Sequence, residues 1–383
     1  MNDVCLVLEG TYPDLTGGVS VWVDRLVRGL GDVSFAVTHL ADEDAPAVAP
    51  AYAPPRNLTG VARLVIDPDP GAPAPAAAAL PEARAYHALS TGAAAAVAAR
   101  AARERGVPFL LTEHGLAWHE ASLGTVAYRI HRSDPLDLRR GAGAIAALAR
   151  EAYAAADVVT SVCAVNARAQ VAAGVPRERS RVIANPAPAT ASAPAAGAER
   201  AAGPFRIGLV GRVVAIKDVA TFLRAAAIVA AERPGCEFAV IGPLDHEPDY
   251  ADACRRLVAE LEIGEQVTFT GETDPAPWYR RLDALALTSI SEAQPLALIE
   301  GMAAGVPLVA AAVGGCRDLV AGAGLLVPPR DPAATARALL RLAADAPLRE
   351  RLGAVGRARA AGRHAPERVS AAYRELYARA LRA

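Results

Sequence analysis

The sequence is almost without lysine: of its 40 basic residues only Lys217 is a lysine, and the rest are arginine. It has no surplus of either charge. Forty Lys+Arg stand against 41 Asp+Glu, a formal net charge of −1, so the basic footprint of a nucleic-acid binder is missing. Cysteine is sparse and odd in number. Cys5, Cys163, Cys236, Cys254 and Cys316 form no pair at metal-ligand or redox spacing, and reduced thiols in a cytoplasmic protein are the plain expectation. The chain enters the apolar run Val4–Leu8 almost at once, and no basic leader region or cleavage site is evident. Its longest apolar stretches are Ala-rich and broken by Gly, Pro or Arg, so none reads as a membrane span. Peripheral work at a membrane stays open. Glycine has no three-residue period, which excludes a collagenous chain, and a hydrophobic content of 53% excludes disorder.

What is present is alternation. At 383 residues two cores are expected. In the first half, strand patterns at Val4–Leu8, Ser34–Thr38, Ala62–Ile66, Pro108–Thr112, Asp157–Val162 and Arg181–Ile183 interleave with helix patterns. The clearest helix places Val19, Trp22, Val23, Leu26, Val27 and Leu30 on one face. Asp44–Pro55 and Asp67–Glu82 are Pro/Ala tracts, read as loops. Asn185–Pro204 has linker composition. A second strand–helix series follows: strands Phe205–Val210, Phe238–Ile241, Val267–Thr270, Ala284–Leu287 and Pro307–Ala311, with helices Val219–Ala231, Tyr250–Leu261 and Leu296–Ala304 among them. The pattern predicts two doubly wound α/β domains with parallel sheets, over 1–184 and 205–365, joined by 185–204. A last helix within 366–383 carries Val369, Ala372, Tyr373, Leu376, Tyr377 and Ala380 on one face, suited to packing back on the first domain. Ligands are expected outside the carboxyl ends of the strands, in the cleft between the domains.

Four constellations could carry chemistry. In Ser289–Pro307 two glutamates, Glu292 and Glu300, stand eight apart around a helix start at Pro295 and a stop at Gly305. Free N–H groups of Gln294, Leu296 and Ala297 would face whatever sits there. Carboxylates suit vicinal hydroxyls of a sugar or ribose; an exposed glutamate plus a capping one fits the spacing equally. In Gly208–Asp218, a strand ends at Gly211, Arg212 and Lys217 flank the loop, and Asp218 caps the next helix, an arrangement able to clamp a diphosphate. Solvated charge is the alternative. Gly10–Val19 brings Gly17 and Gly18 to a helix N-terminus, where bare N–H groups can meet phosphate or simply make a turn. It does not satisfy G-x-G-x-x-G, so a dinucleotide fingerprint is not met. Glu113-His114-Gly115 ends a strand, and His114 can donate to a substrate or serve the structure. Asp67-Pro-Asp69 and Asp42–Asp44 are read as solvated loop charge, and no metal site is expected.

Together, Gly17-Gly18-Val19, Glu113-His114-Gly115, Arg212 with Lys217, and Glu292 with Glu300 resemble the retaining glycosyltransferases of family 4, which have the two-Rossmann GT-B fold, the domains facing across a cleft. Leu8–Pro13, Thr112–Gly115, Leu287–Pro295 and Val313–Cys316 are similar to the PelF group of exopolysaccharide glycosyltransferases. The resemblance implies a UDP-sugar donor, most readily UDP-glucose, a saccharide or small-molecule acceptor, and transfer without a metal or other cofactor. It implies that Arg212 and Lys217 neutralise the leaving diphosphate and that Glu300 holds the ribose. Glu292, with the N–H groups around Gln294, Pro295 and Leu296, would hold the sugar. Gly17 and Gly18 would approach the diphosphate, His114 would touch the sugar near the reacting carbon, and Gly242 and Gly271 would line the base pocket. Association with a membrane polysaccharide-synthesis complex would follow the same likeness. A UDP-sugar epimerase and a non-catalytic sugar-nucleotide-binding subunit remain alternatives.

Overall fold

The computed structural model describes residues 1–9, 12–14, 17–41, 51–66, 77–123, 141–188 and 203–382. Gly10, Thr11, Leu15 and Thr16, both Asp-rich motifs, the greater part of both Pro/Ala tracts and linker residues 189–202 lie outside them. The chain divides into two compact units, Met1–Pro186 with Pro366–Ala383, and Ala187–Ala365.

The first unit is a seven-stranded parallel sheet ordered β3-β2-β1-β4-β5-β6-β7. Its strands are β1 (Asn2–Glu9), β2 (Phe35–Ala41), β3 (Leu58–Val65), β4 (Ala83–Ala88), β5 (Phe109–Glu113), β6 (Val158–Ser161) and β7 (Ser180–Val182). The helices between them are α1 (Gly18–Gly29), α2 (Ala93–Arg105), α3 (Ala117–Ser122), α4 (Ala142–Ala155) and α5 (Ala164–Ala172). Alternate residues of β1 feed two cores. Val4, Leu6 and Leu8 pack with α1, and Cys5 and Val7 pack with α2 and α4. Both faces are therefore apolar, as a parallel sheet covered on two sides requires.

The second unit is a six-stranded parallel sheet ordered β10-β9-β8-β11-β12-β13. It comprises β8 (Arg206–Val210), α6 (Val219–Glu232), β9 (Glu237–Ile241), α7 (Pro248–Glu260), β10 (Val267–Phe269), α8 (Ala276–Arg281) and β11 (Ala284–Leu287). Then come α9 (Leu296–Ala303), β12 (Leu308–Ala311), α10 (Cys316–Val320), β13 (Gly324–Val327), α11 (Pro332–Ala344) and α12 (Ala346–Arg363). The last helix, α13 (Pro366–Ala380), belongs to the first unit. Its Val369, Tyr373, Leu376 and Tyr377 are buried with Trp22 of α1 and Phe35 of β2. Inside that contact His87 of β4 is buried, its Nδ1 2.8 Å from Tyr377 Oη and its Nε2 2.7 Å from Thr112 Oγ1.

Each sheet has one place where the strand order reverses, between β1 and β4 and between β8 and β11. Loops leaving the two strands at such a point diverge and leave a crevice. Five elements have no counterpart in the sequence reading: β4, α3, α8, α10 and β13. The other strand and helix ends move by up to four residues, with β3 starting at Leu58 and β2 running on to Ala41. The five cysteines are free and buried. Among the described residues no helix is long and apolar enough to cross a membrane.

Candidate functional site

In the second unit the reversal point gathers the charged candidates. The β8–α6 and β11–α9 loops are stitched together. Ile290 N–H donates to Ile216 O at 2.8 Å, and Thr288 Oγ1 donates to Asp218 O at 2.9 Å. This brings Glu292 onto Lys217, and the two side chains form an ion pair. Ser289 Oγ donates to the same carboxylate oxygen at 2.7 Å. The pair is not sealed: the Lys217 side chain keeps 21% of its exposure and Glu292 9%. Lys217 closes a short 3-10 turn, Ala215–Lys217, and the Asp218 carboxylate accepts from Thr221 N–H to cap α6. That turn is held from behind by Glu247, whose carboxylate accepts from Ala215 N–H at 2.8 Å.

Three glycines bring the ends of β8, β9 and β10 into contact. Gly211 N–H donates to Ile241 O at 2.9 Å, and Gly242 forms an isolated bridge with Gly271. A Cβ on Gly242, whose φ is 145°, would lie 2.2 Å from Gly211 O, so only glycine allows this approach. Arg212 leaves Gly211 directly and is close enough to His246 to help hold that imidazole below its usual pKa, after burial itself.

Across the β11–α9 loop, Pro295 occupies the cap position and α9 starts at Leu296 with no side-chain cap, leaving the N–H groups of its first turn unclaimed by a capping side chain. Gln294 is buried beside it. Glu300, one turn into α9, accepts a hydrogen bond from Tyr279 of α8 at 3.1 Å. Gly305 ends the helix at φ 70°. Glu292 is also shaped from below. Gly314, at φ 45°, lies so close that a Cβ would stand 1.7 Å from Glu292 O. Arg212, Lys217, Gly242, Gly271, Glu292, Gln294, Pro295, Leu296 and Glu300 thus all lie on the loops and first helical turns that follow the carboxyl ends of this sheet's strands.

Gly17, Gly18 and His114 belong to the first unit. Gly17 is the cap residue of α1, with no side-chain cap, and a Cβ there would meet nothing within 4 Å among the described residues. His114 follows the last paired residue of β5 and stands edge-on to Trp22, ring centroids 4.5 Å apart. Its Nε2 is buried with no hydrogen-bond partner among the described residues, and burial lowers its pKa to about 4, so the imidazole is neutral at pH 7.

Ser289, Tyr279 and Gly314 act on the two glutamates and were not singled out as site residues from the sequence. Gly314 had a signal in the Val313–Cys316 segment; Tyr279 had none. Among the described residues, no three His, Cys, Asp or Glu side chains gather as metal ligands would.

Comparison with known proteins agrees with this division. Residues 204–345 match the family Glycosyl transferases group 1, and residues 2–76 and 70–178 match a domain of unknown function, DUF3492. The D-inositol 3-phosphate glycosyltransferase of Streptomyces avermitilis is 34% identical over 207 residues, 48% of this chain and 44% of that protein. The enzyme of the same name from Frankia alni is 41% identical over 164 residues, 39% of this chain and 40% of that one. The matches thus span less than half the length of these relatives. Among solved structures, Anabaena Alr3699/HepE in complex with UDP and glucose superposes with a TM-score of 0.76 at 18% identity, covering 99% of this chain and 100% of that one. Sucrose-phosphate synthase from Thermosynechococcus elongatus gives 0.72 at 22% identity, covering 98% of each. Residues 204–345 therefore resemble a group 1 glycosyl transferase domain, in a chain of GT-B fold.

Proposed function

We propose that the chain is a retaining glycosyltransferase that moves a hexose from a UDP-sugar to a saccharide or small-molecule acceptor without a metal. UDP-glucose is the first donor to test, and PelF-like exopolysaccharide synthesis is the setting. The observation that carries this reading is the charge arrangement at the β8/β11 reversal point: Lys217 paired with Glu292, Arg212 on the same loop, and Glu300 held by Tyr279. Support for the nucleotide comes from the HepE structures, which contain UDP and UDP-glucose.

The chemistry follows from the side chains. When the glycosidic bond to the diphosphate breaks, negative charge grows on the leaving oxygens. A planar guanidinium and an ammonium preset beside them stabilise that charge without reorganising. Lys217 has three N–H donors, so it can keep Glu292 while taking a phosphate oxygen. Glu292, fixed by Lys217 and Ser289, presents its remaining lone pairs to sugar hydroxyls. Glu300 accepts from vicinal ribose hydroxyls. The neutral imidazole of His114 has an open Nε2 for a hydroxyl near the reacting carbon. Gly17 and Gly18, at the start of α1 with no side-chain cap, would offer N–H groups to phosphate. No side-chain nucleophile is required if the acceptor attacks the face the diphosphate leaves.

The test is a panel of nucleotide sugars incubated with and without acceptors. Lys217→Ala and Glu300→Ala should each lower donor turnover, the first by roughly 10²-fold, the scale for removing a preset charge partner. Near wild-type rates in both would overturn the assignment. Conversion of the donor sugar with no acceptor would identify an epimerase instead, and UDP binding with no turnover a binding subunit.

A further inference from the structure

Glu113 immediately precedes His114, yet its side chain leaves the other face of the sheet, as consecutive residues at a strand end must. There it is buried, at 2% exposure, and three segments converge on it. Thr91, in the loop after β4, donates to Oε1 at 3.1 Å. Tyr153 of α4 and Gln170 of α5 both donate to Oε2, at 2.5 and 2.7 Å. Trp118 of α3 adds an outer layer, its indole N–H donating to Tyr153 Oη at 3.0 Å. Because α3 begins three residues beyond His114, the loop carrying the histidine is tied at its start through Glu113 and at its end through Trp118 to the same tyrosine.

The residue type matters. A carboxyl can accept at both of its oxygens, so it can serve these three donors at once. An amide of the same shape would turn an N–H₂ toward one of them. The arrangement has an energetic cost: burial among neutral partners outweighs the three hydrogen bonds and raises the Glu113 pKa to about 7.

We propose that Glu113 is a positioning residue, a buried carboxyl clamp that fixes the β5–α3 turn and thereby the place of His114 against Trp22. This rests on the reading of His114 as a contact to the donor sugar. Glu113 itself touches no substrate. Its removal should act on the sugar-transfer step and spare nucleotide affinity, whose proposed charged contacts, Arg212, Lys217 and Glu300, lie in the second unit.

The experiment compares Glu113→Gln, His114→Ala and the double variant for kcat, donor KM, UDP affinity and melting temperature. Loop misplacement of about 1 Å can cost up to 10²-fold, so Glu113→Gln is expected to lower kcat by at least about tenfold with UDP affinity within about twofold. The double variant should be no worse than His114→Ala, because a residue that acts through another adds nothing once that other is gone. Glu113→Gln turning over at the wild-type rate while His114→Ala is impaired would overturn the proposal. So would losses that multiply in the double variant. A His114→Ala variant with full activity would instead remove the reading of His114 and the clamp's purpose with it. Should Glu113→Gln not fold, Tyr153→Phe removes one donor and leaves the carboxyl, and the same cycle with His114→Ala applies.

Discussion

Both units carry polar residues at the carboxyl ends of a parallel sheet, and they treat them in opposite ways. In the first, His87 and Glu113 are 0% and 2% exposed and are satisfied by neutral partners: tyrosine and threonine hydroxyls and a glutamine amide. In the second, Lys217 and Glu292 pair with opposite charge and keep access to solvent. The first arrangement spends hydrogen bonds on holding loops still, and its pKa values move far: His87 to about 3 and Glu113 to about 7, each driven first by burial. The second keeps ionised groups available to a ligand. The lesson is that one architecture can place its rigidity in one unit and its charge in the other.

The comparison can be broken in several ways. Lys217→Ala should give the largest effect, roughly a 10²-fold loss of donor turnover, with a smaller change in melting because Ser289 still holds the Glu292 carboxylate. A large loss of stability would show that the second unit's charges are structural after all.

Acidification should act on the first unit. His87 is neutral when folded and titrates near 6.5 when unfolded, so between about pH 6.5 and 3 the unfolded chain binds the extra proton. Its contribution is therefore present above pH 6.5 and lost as pH falls, by about 1.4 kcal/mol per pH unit. Glu113 runs the other way. Its raised pKa makes its contribution full below about 4.5 and lost as pH rises to 7. Denaturant unfolding of wild type, His87→Gln and Glu113→Gln from pH 4 to 8 separates the two slopes. A wild-type slope retained in His87→Gln would contradict the assignment.

Gly314→Ala sharpens the comparison within the second unit. The added methyl meets Glu292 O and the positive φ, an overpacking of about 1–3 kcal/mol that should displace the Glu292 loop and lower turnover. Gly322→Ala, also at positive φ with its nearest atom 4.0 Å away, is the control for backbone strain alone. Asp331→Ala should have the smallest effect. It removes the cap on Ala334 N–H at the start of α11 and costs about 1 kcal/mol of stability with turnover unchanged.

The same contrast explains what could be read from the sequence. Lys217, Glu292 and Glu300 were legible because charged residues at loop and helix-start positions announce themselves by type and spacing. The apolar stripe of α13, from Val369 to Ala380, was legible from its period. Strand β4 was not: Ala83–Ala88 follows a Pro/Ala tract and has no β-branched residue, yet it lies between β1 and β5 at the centre of its sheet. Its place is fixed by partners on both sides, which no local pattern records. The Glu113 clamp was hidden for the same reason, since Tyr153 and Gln170 stand 40 and 57 residues away in sequence. Tyr279 beside Glu300 and Ser289 beside Glu292 likewise follow from packing.

The central claim is that the second unit holds a nucleoside diphosphate at the β8/β11 reversal point. Calorimetric titration of UDP into wild type and Lys217→Ala tests it most directly. The account predicts saturable one-to-one binding to the wild type, weakened about tenfold or more in the variant, the scale of one charge-assisted contact. No saturable binding to the wild type, or equal affinity in the two proteins, would contradict it.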